Sequence, residues 1–106
     1  ELKNLPVELH GQFGDVLHTY WMCSILSMTP ETRDALREHL AADGIETRPL
    51  FYPVHTMPMF TQKYQRHSVA ENLGWRGMNL PSYPALERDD VAIISDSIRR
   101  FFKTCN

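Results

Sequence analysis

The sequence is short of cysteine, glycine and lysine, and it has no long apolar run. Its two cysteines, Cys23 and Cys105, stand far apart. A disulfide framework or a structural zinc site needs closer, repeated spacing, so neither is expected, and the usage fits a reducing, cytoplasmic compartment. Five glycines are spread singly or in loose pairs. They build neither a phosphate-cradling loop nor a nucleophile elbow. The three lysines are Lys3, Lys63 and Lys103; two lie near the ends and one in a polar loop. A nucleophilic lysine needs a desolvating or charge-tuned pocket, and none of the three is placed for one. No segment approaches the ~20 apolar residues of a membrane span. With 11 basic against 13 acidic residues the net charge is -2, and there is no basic stripe to meet nucleic acid.

What is present suits one small globular domain. Hydrophobic residues make up 42% of the 106 residues, enough to build a modest core and to argue against disorder. The first residue is Glu1 and no signal-like segment follows it, so the chain is expected to be a piece of a longer protein. Residues 1–17, with Pro6, Gly11 and Gly14, read as a lead-in whose Leu2, Leu5, Val7 and Leu9 dock on the body. Tyr20 to Leu26, "YWMCSIL", is apolar at both alternating sets of positions and reads as a strand buried on both faces.

Thr29-Pro30 opens a helix: threonine caps, and proline suits the first helical position. Leu36 and Leu40 share one face of it, and Asp43-Gly44-Ile45 ends it with a left-handed glycine. Thr47 to Phe51 reads as a short strand, held at an edge by Pro49, which lacks a ladder donor. Tyr52 to His67 reads as loop, with one helical turn near Phe60. Ser68 and Glu71 have the spacing of a capping box, which predicts a short helix ending near Gly77. Met78 to Leu80 forms a third strand, closed by Pro81. Val91, Ile94, Ile98, Phe101 and Phe102 then form the stripe of a last helix. Asp89 and Asp90 lie at its positive end, and Arg99, Arg100 and Lys103 at its negative end. This order predicts an α+β two-layer sandwich: a small, mostly antiparallel three-stranded sheet with helices packed on one face.

The candidate chemistry centres on "ETRPLFYPVH", Glu46 to His55. Arg48 offers a planar fork of donors for phosphate or carboxylate, or else is a solvated charge that protects a sheet edge. His55, two residues after Pro53, donates to a sugar hydroxyl or a phosphate, or else is a half-buried imidazole with one backbone partner. Tyr52, beside a proline, can keep its hydroxyl in a cleft, whereas Phe51 is expected to plug the core. Met57 and Met59 fill gaps. His10 and His18 have no partner spacing for zinc, and no metal is assigned.

Taken together, "HTYWMCSIL", "RDALREHLAADGIETRPLFYPVH", "SVAENLGWRGMNLPSYPAL" and "ERDDVAIISDSIRRFF" resemble, in order, the C-terminal small domain of the DegT/StrS-type nucleotide-sugar aminotransferases. The resemblance runs from about His18 to Phe102. It implies residues 1–17 as the lead-in from a missing large N-terminal domain and 18–106 as the small domain. It implies a parent of the aspartate-aminotransferase fold that uses pyridoxal phosphate and moves an amino group from glutamate to a keto-sugar on a nucleotide, as a homodimer. The cofactor and its lysine would belong to the missing domain, so this piece alone is expected to bind no cofactor and to be inactive. Arg48, Tyr52 and His55 would then form one wall of the substrate cleft, in substrate-binding rather than catalytic roles. A stand-alone α+β binding or regulatory module is the alternative, and a nucleic-acid module is the weakest.

Overall fold

The computed structural model describes residues 1–61 and 65–104. Helix α1 spans Pro30–Ala42, and its start and stop are written locally. The Thr29 side chain accepts the Thr32 backbone N–H at 3.2 Å, which satisfies one of the orphan donors of the first turn. At the other end Gly44 sits at φ 76°, a conformation costly for any residue with a Cβ. The Ile45 N–H reaches back to the Leu40 carbonyl at 2.8 Å and the Gly44 N–H to that of Ala41 at 3.0 Å. These are the two bonds of a Schellman ending, and Ile45 and Leu40 meet in the core as that motif requires.

Strands β1 (Val7–Leu9), β2 (Cys23–Ser27), β3 (Arg48–Pro49) and β4 (Gly77–Leu80) form a single sheet. Its order is β1-β2-β4-β3, and every neighbouring pair is antiparallel. The sheet therefore has four strands where the sequence predicts three. The extra strand falls inside the stretch read as a lead-in: Val7 pairs with Ser27 and Leu9 with Ile25. Three residues between a proline and two glycines carry too little pattern to show a strand. Only the exposed edge of β2 makes one of them.

Helix α2 spans Ser68–Arg76 and α3 spans Arg88–Thr104. Ile25 and Met78 lie opposite each other in the β2–β4 register and are both completely buried. Leu36 and Leu40 of α1 and Ile94, Ile98, Phe101 and Phe102 of α3 close over them as one core. The next pair in register, Ser24 and Asn79, shows the opposite face, and there the serine hydroxyl donates to the amide oxygen at 2.7 Å.

Three expectations need correction. Tyr20 to Leu26 is not a strand buried on both faces. The strand begins at Cys23, which is exposed, and Tyr20 and Trp21 are exposed before it. The core formed with α1 and α3 takes only the Ile25 side of the strand, so apolar residues on the other side stay open. Phe51 is exposed instead of plugging the core, because Leu50, not Phe51, crosses above Gly77. The stripe on α3 begins at Ile94; Val91 lies a turn too early and remains partly exposed.

Polar ties join the ends of the helices. The Ser97 hydroxyl donates to the Asp43 carboxylate, and Arg100 donates to it at 2.7 Å. Both fasten the C-terminus of α1 to α3. Among the described residues no helix is long and apolar enough to cross a membrane.

Candidate functional site

After β3 the chain runs through two short 3-10 turns, Val54–Thr56 and Pro58–Phe60, before α2 begins. Pro53 is buried and sits against Gly74 of α2, where a Cβ would lie 3.0 Å from its ring. This close approach brings the first turn beside α2 and sets His55 against Glu71.

Glu71 does not act in the predicted register. The N-cap is His67 and Ser68 is the first helical residue. The Glu71 carboxylate still reaches back to the cap, accepting the His67 backbone N–H at 3.2 Å. Its other contacts are unforeseen. Oε1 also accepts His55 Nε2–H at 2.9 Å, and Oε2 accepts Arg66 Nε–H at 3.1 Å. The His67 ring stands edge-on to that of His55, with centroids 4.7 Å apart. His55 and Glu71 side chains are 12% and 5% exposed, so this hydrogen bond is largely withdrawn from water. A cleft of about 640 Å³ opens beside it, bordered by Thr56, Arg66 and Trp75.

The hydrogen bond from His55 holds the Glu71 carboxyl below the usual glutamate range; burial opposes this, and the His67 N–H and Arg66 add to it. Asp43 is likewise held low, first by the Ser97 hydroxyl and then by Arg100. Both groups have folded-state values below their unfolded ones. Their contribution to stability is therefore complete above the unfolded range near pH 4 and is lost as pH falls through the folded values. Urea midpoints are expected to drop as the pH falls below about 4. Glu71→Gln and Asp43→Asn should each flatten that drop; an unchanged slope in both would contradict the assignment.

Arg48 is placed elsewhere. It projects from β3 at the edge of the sheet, and its side chain is 80% exposed. Its Nε and Nη2 donate to Glu46 at 3.4 and 3.3 Å. An exposed pair of this kind contributes about 0–1 kcal/mol, so the guanidinium is easily released to another anion. It lines a second cleft of about 540 Å³ with Asn79, Tyr83, Leu86 and Asp90. Tyr52 is exposed and lines neither cleft. The three residues singled out by the sequence are thus not gathered at one point of this chain.

The structure also joins two histidines whose spacing suggested nothing. His10 Nδ1 and His18 Nε2 face each other at 2.7 Å, and the His18 ring stacks on Tyr20. His10 Nε2 accepts the Ser24 N–H at 3.3 Å, which ties residues 10–20 back to β2. No group of three or more metal-binding side chains occurs among the described residues. Lys3 and Lys103 are exposed, whereas Lys63 and Cys105 lie outside the described residues. The described lysines therefore do not fit a covalent site for pyridoxal phosphate.

Comparison with known proteins matches residues 1–99 to the DegT/DnrJ/EryC1/StrS aminotransferase family. The chain is 58% identical over 99 residues to a GDP-perosamine synthase of Escherichia coli O157:H7, covering 93% of this chain and 27% of that protein. It is 38% identical over 106 residues to a GDP-perosamine synthase of Vibrio cholerae, covering 96% and 29%. Among solved structures, DesV of S. venezuelae in complex with a ketimine intermediate superposes with a TM-score of 0.84 at 28% identity, covering 96% of this chain and 28% of DesV. A DegT DnrJ EryC1 StrS aminotransferase from Brucella abortus gives 0.80 at 28% identity, covering 95% and 27%. The chain thus spans less than a third of the length of these relatives, and it corresponds to their C-terminal part.

Proposed function

This chain belongs to the DegT/DnrJ/EryC1/StrS aminotransferase family, and from that membership we propose that it is the C-terminal portion of an enzyme that aminates a nucleotide-linked keto-sugar. The match of the family pattern to residues 1–99 carries this reading. Glutamate is the amino donor and pyridoxal phosphate the cofactor. The cofactor supplies the electron sink, and its lysine lies in the part of the protein beyond this chain. The identity to two GDP-perosamine synthases supports a sugar carried on GDP. The whole protein works in the cytoplasm as a homodimer.

This chain's own residues bind and orient. Arg48 is exposed, held among the described residues only by Glu46, and suited to a phosphate or another anion on the substrate. His55 is held on one side by Glu71, so its ring has a set orientation from which to hydrogen-bond near the sugar. Tyr52, exposed on the chain between them, offers a further contact to the substrate. Residues 1–17 lead in from the large domain, and the chain by itself does not transaminate.

The test uses the intact protein with a GDP-linked keto-sugar and glutamate, following the 2-oxoglutarate released. Turnover is expected with the GDP-linked sugar and not with the isolated 106-residue chain. His55→Ala and Arg48→Ala should each lower kcat/KM for the sugar by about ten-fold or more, roughly 1.4 kcal/mol of transition-state stabilisation. Values within two-fold of the parent would remove these residues from the site. Absence of 2-oxoglutarate with every nucleotide-linked keto-sugar offered would overturn the reaction itself.

A further inference from the structure

Glu71 is the one buried charged residue among those described. An ionised carboxylate is an acceptor only, and its ordinary role as a helix-start glutamate is met by the His67 N–H alone. The bond from His55 is an addition with a chemical consequence. Because the carboxylate brings no proton to the 2.9 Å contact, the hydrogen there sits on His55 Nε2. The other ring nitrogen, Nδ1, has no hydrogen bond to a described residue. His55 also borders two clefts, the larger one beside Glu71 and Trp75 and a smaller one beside Phe60, His67 and Ala70.

We infer that Glu71 is a positioning residue for the amination: it holds His55 as the Nε2–H tautomer, so that Nδ1 is the acceptor offered to a hydroxyl of the sugar. The inference rests on the reading above that His55 contacts the substrate, and it names which atom does so and what fixes it. Glu71 itself touches no substrate. Its effect passes through the imidazole, as with any histidine whose tautomer is set by the bond its second nitrogen makes.

The experiment uses the intact enzyme and three variants: Glu71→Gln, His55→Gln and the two combined. A carboxamide can donate as well as accept, so Glu71→Gln keeps the shape but no longer dictates the tautomer. Glutamine at position 55 can keep an N–H toward Glu71 while lacking Nδ1. Each single change is expected to lower kcat/KM for the keto-sugar ten-fold or more. The double variant should lie within two-fold of His55→Gln alone, since the second change acts only through the missing ring. Nitrogen-15 spectra of histidine-labelled parent enzyme should show His55 protonated at Nε2 and bare at Nδ1, with mixed tautomers in Glu71→Gln. A parent His55 protonated at Nδ1 alone overturns the inference, whatever the variants do. So does a large loss in His55→Gln with none in Glu71→Gln, or a double variant whose loss is the product of the two. An unchanged kcat/KM for His55→Gln instead overturns the substrate-contact reading on which the inference stands.

Discussion

Replacing Ile98 by alanine is expected to remove about 2–5 kcal/mol of stability, the range for deleting a large aliphatic side chain from a close-packed core. Ile98 is completely buried and stands in the middle of α3, in the same core as Ile25, Leu36, Leu40 and Met78. The loss has two parts. The removed carbons no longer leave water on folding, and the gap they leave cannot close, because rigid neighbours surround it on the sheet and on α1. A domain of about 100 residues has only about 5–15 kcal/mol to lose. At about 4–8 °C of melting temperature per kcal/mol, the change should lower Tm by at least ~8 °C. Ile93 is the internal control: it is on the same helix but 60% exposed, and Ile93→Ala should stay within about 0.5 kcal/mol. Equal effects of the two substitutions would mean that α3 is not seated as described.

The second large effect is expected at Gly77. Its φ of -92° is open to any residue, so the requirement for glycine is steric and not conformational. A Cβ there would lie 2.1 Å from Leu50 Cδ1 and 2.5 Å from the Leu73 carbonyl oxygen. Leu50 can turn away at some cost in packing. The carbonyl cannot, because it accepts the Gly77 N–H that ends α2. Gly77→Ala must therefore shift the junction of α2 with β4, and β4 pairs with both β2 and β3. Overpacking of this kind costs about 1–3 kcal/mol, and a backbone obstacle puts Gly77→Ala at the upper end. Denaturant unfolding measures it, with Gly11→Ala as the neutral comparison, since a Cβ there meets nothing nearer than 3.7 Å. Shortening Leu50 to alanine in the Gly77→Ala background should recover part of the loss and not all. Full recovery would show that the carbonyl contact is unimportant.

The parts of this molecule that were legible in advance share one property: their cause is local. Thr29, Pro30 and Gly44 mark the ends of α1 because capping and left-handed backbone depend on residues within one turn. The Ile94, Ile98 and Phe102 spacing marks α3 because one face of a helix repeats every three or four residues. The short strands at Arg48 and Met78 were found between proline and glycine punctuation. The candidate site was legible only in part. Residues such as Arg48 and His55 stand out by type, and Pro49 marks the strand of Arg48 as an edge, but nothing in the order of residues says that His55 is clasped by a carboxylate. Glu71 carried a visible signal, its spacing from Ser68, and that signal pointed to a cap one residue away from the real one.

The sequence by itself determined the helices, the ends of α1, the α+β class and the family resemblance, since each of these is written in neighbours a few residues apart or in the order of short motifs. Tertiary structure alone decided that Val7–Leu9 becomes a fourth strand, that Phe51 and Trp21 stay in solvent, and that His55 meets Glu71 and not water. Those outcomes depend on which surfaces are already covered when distant segments meet, a property of the assembled layers that no local run of residues contains.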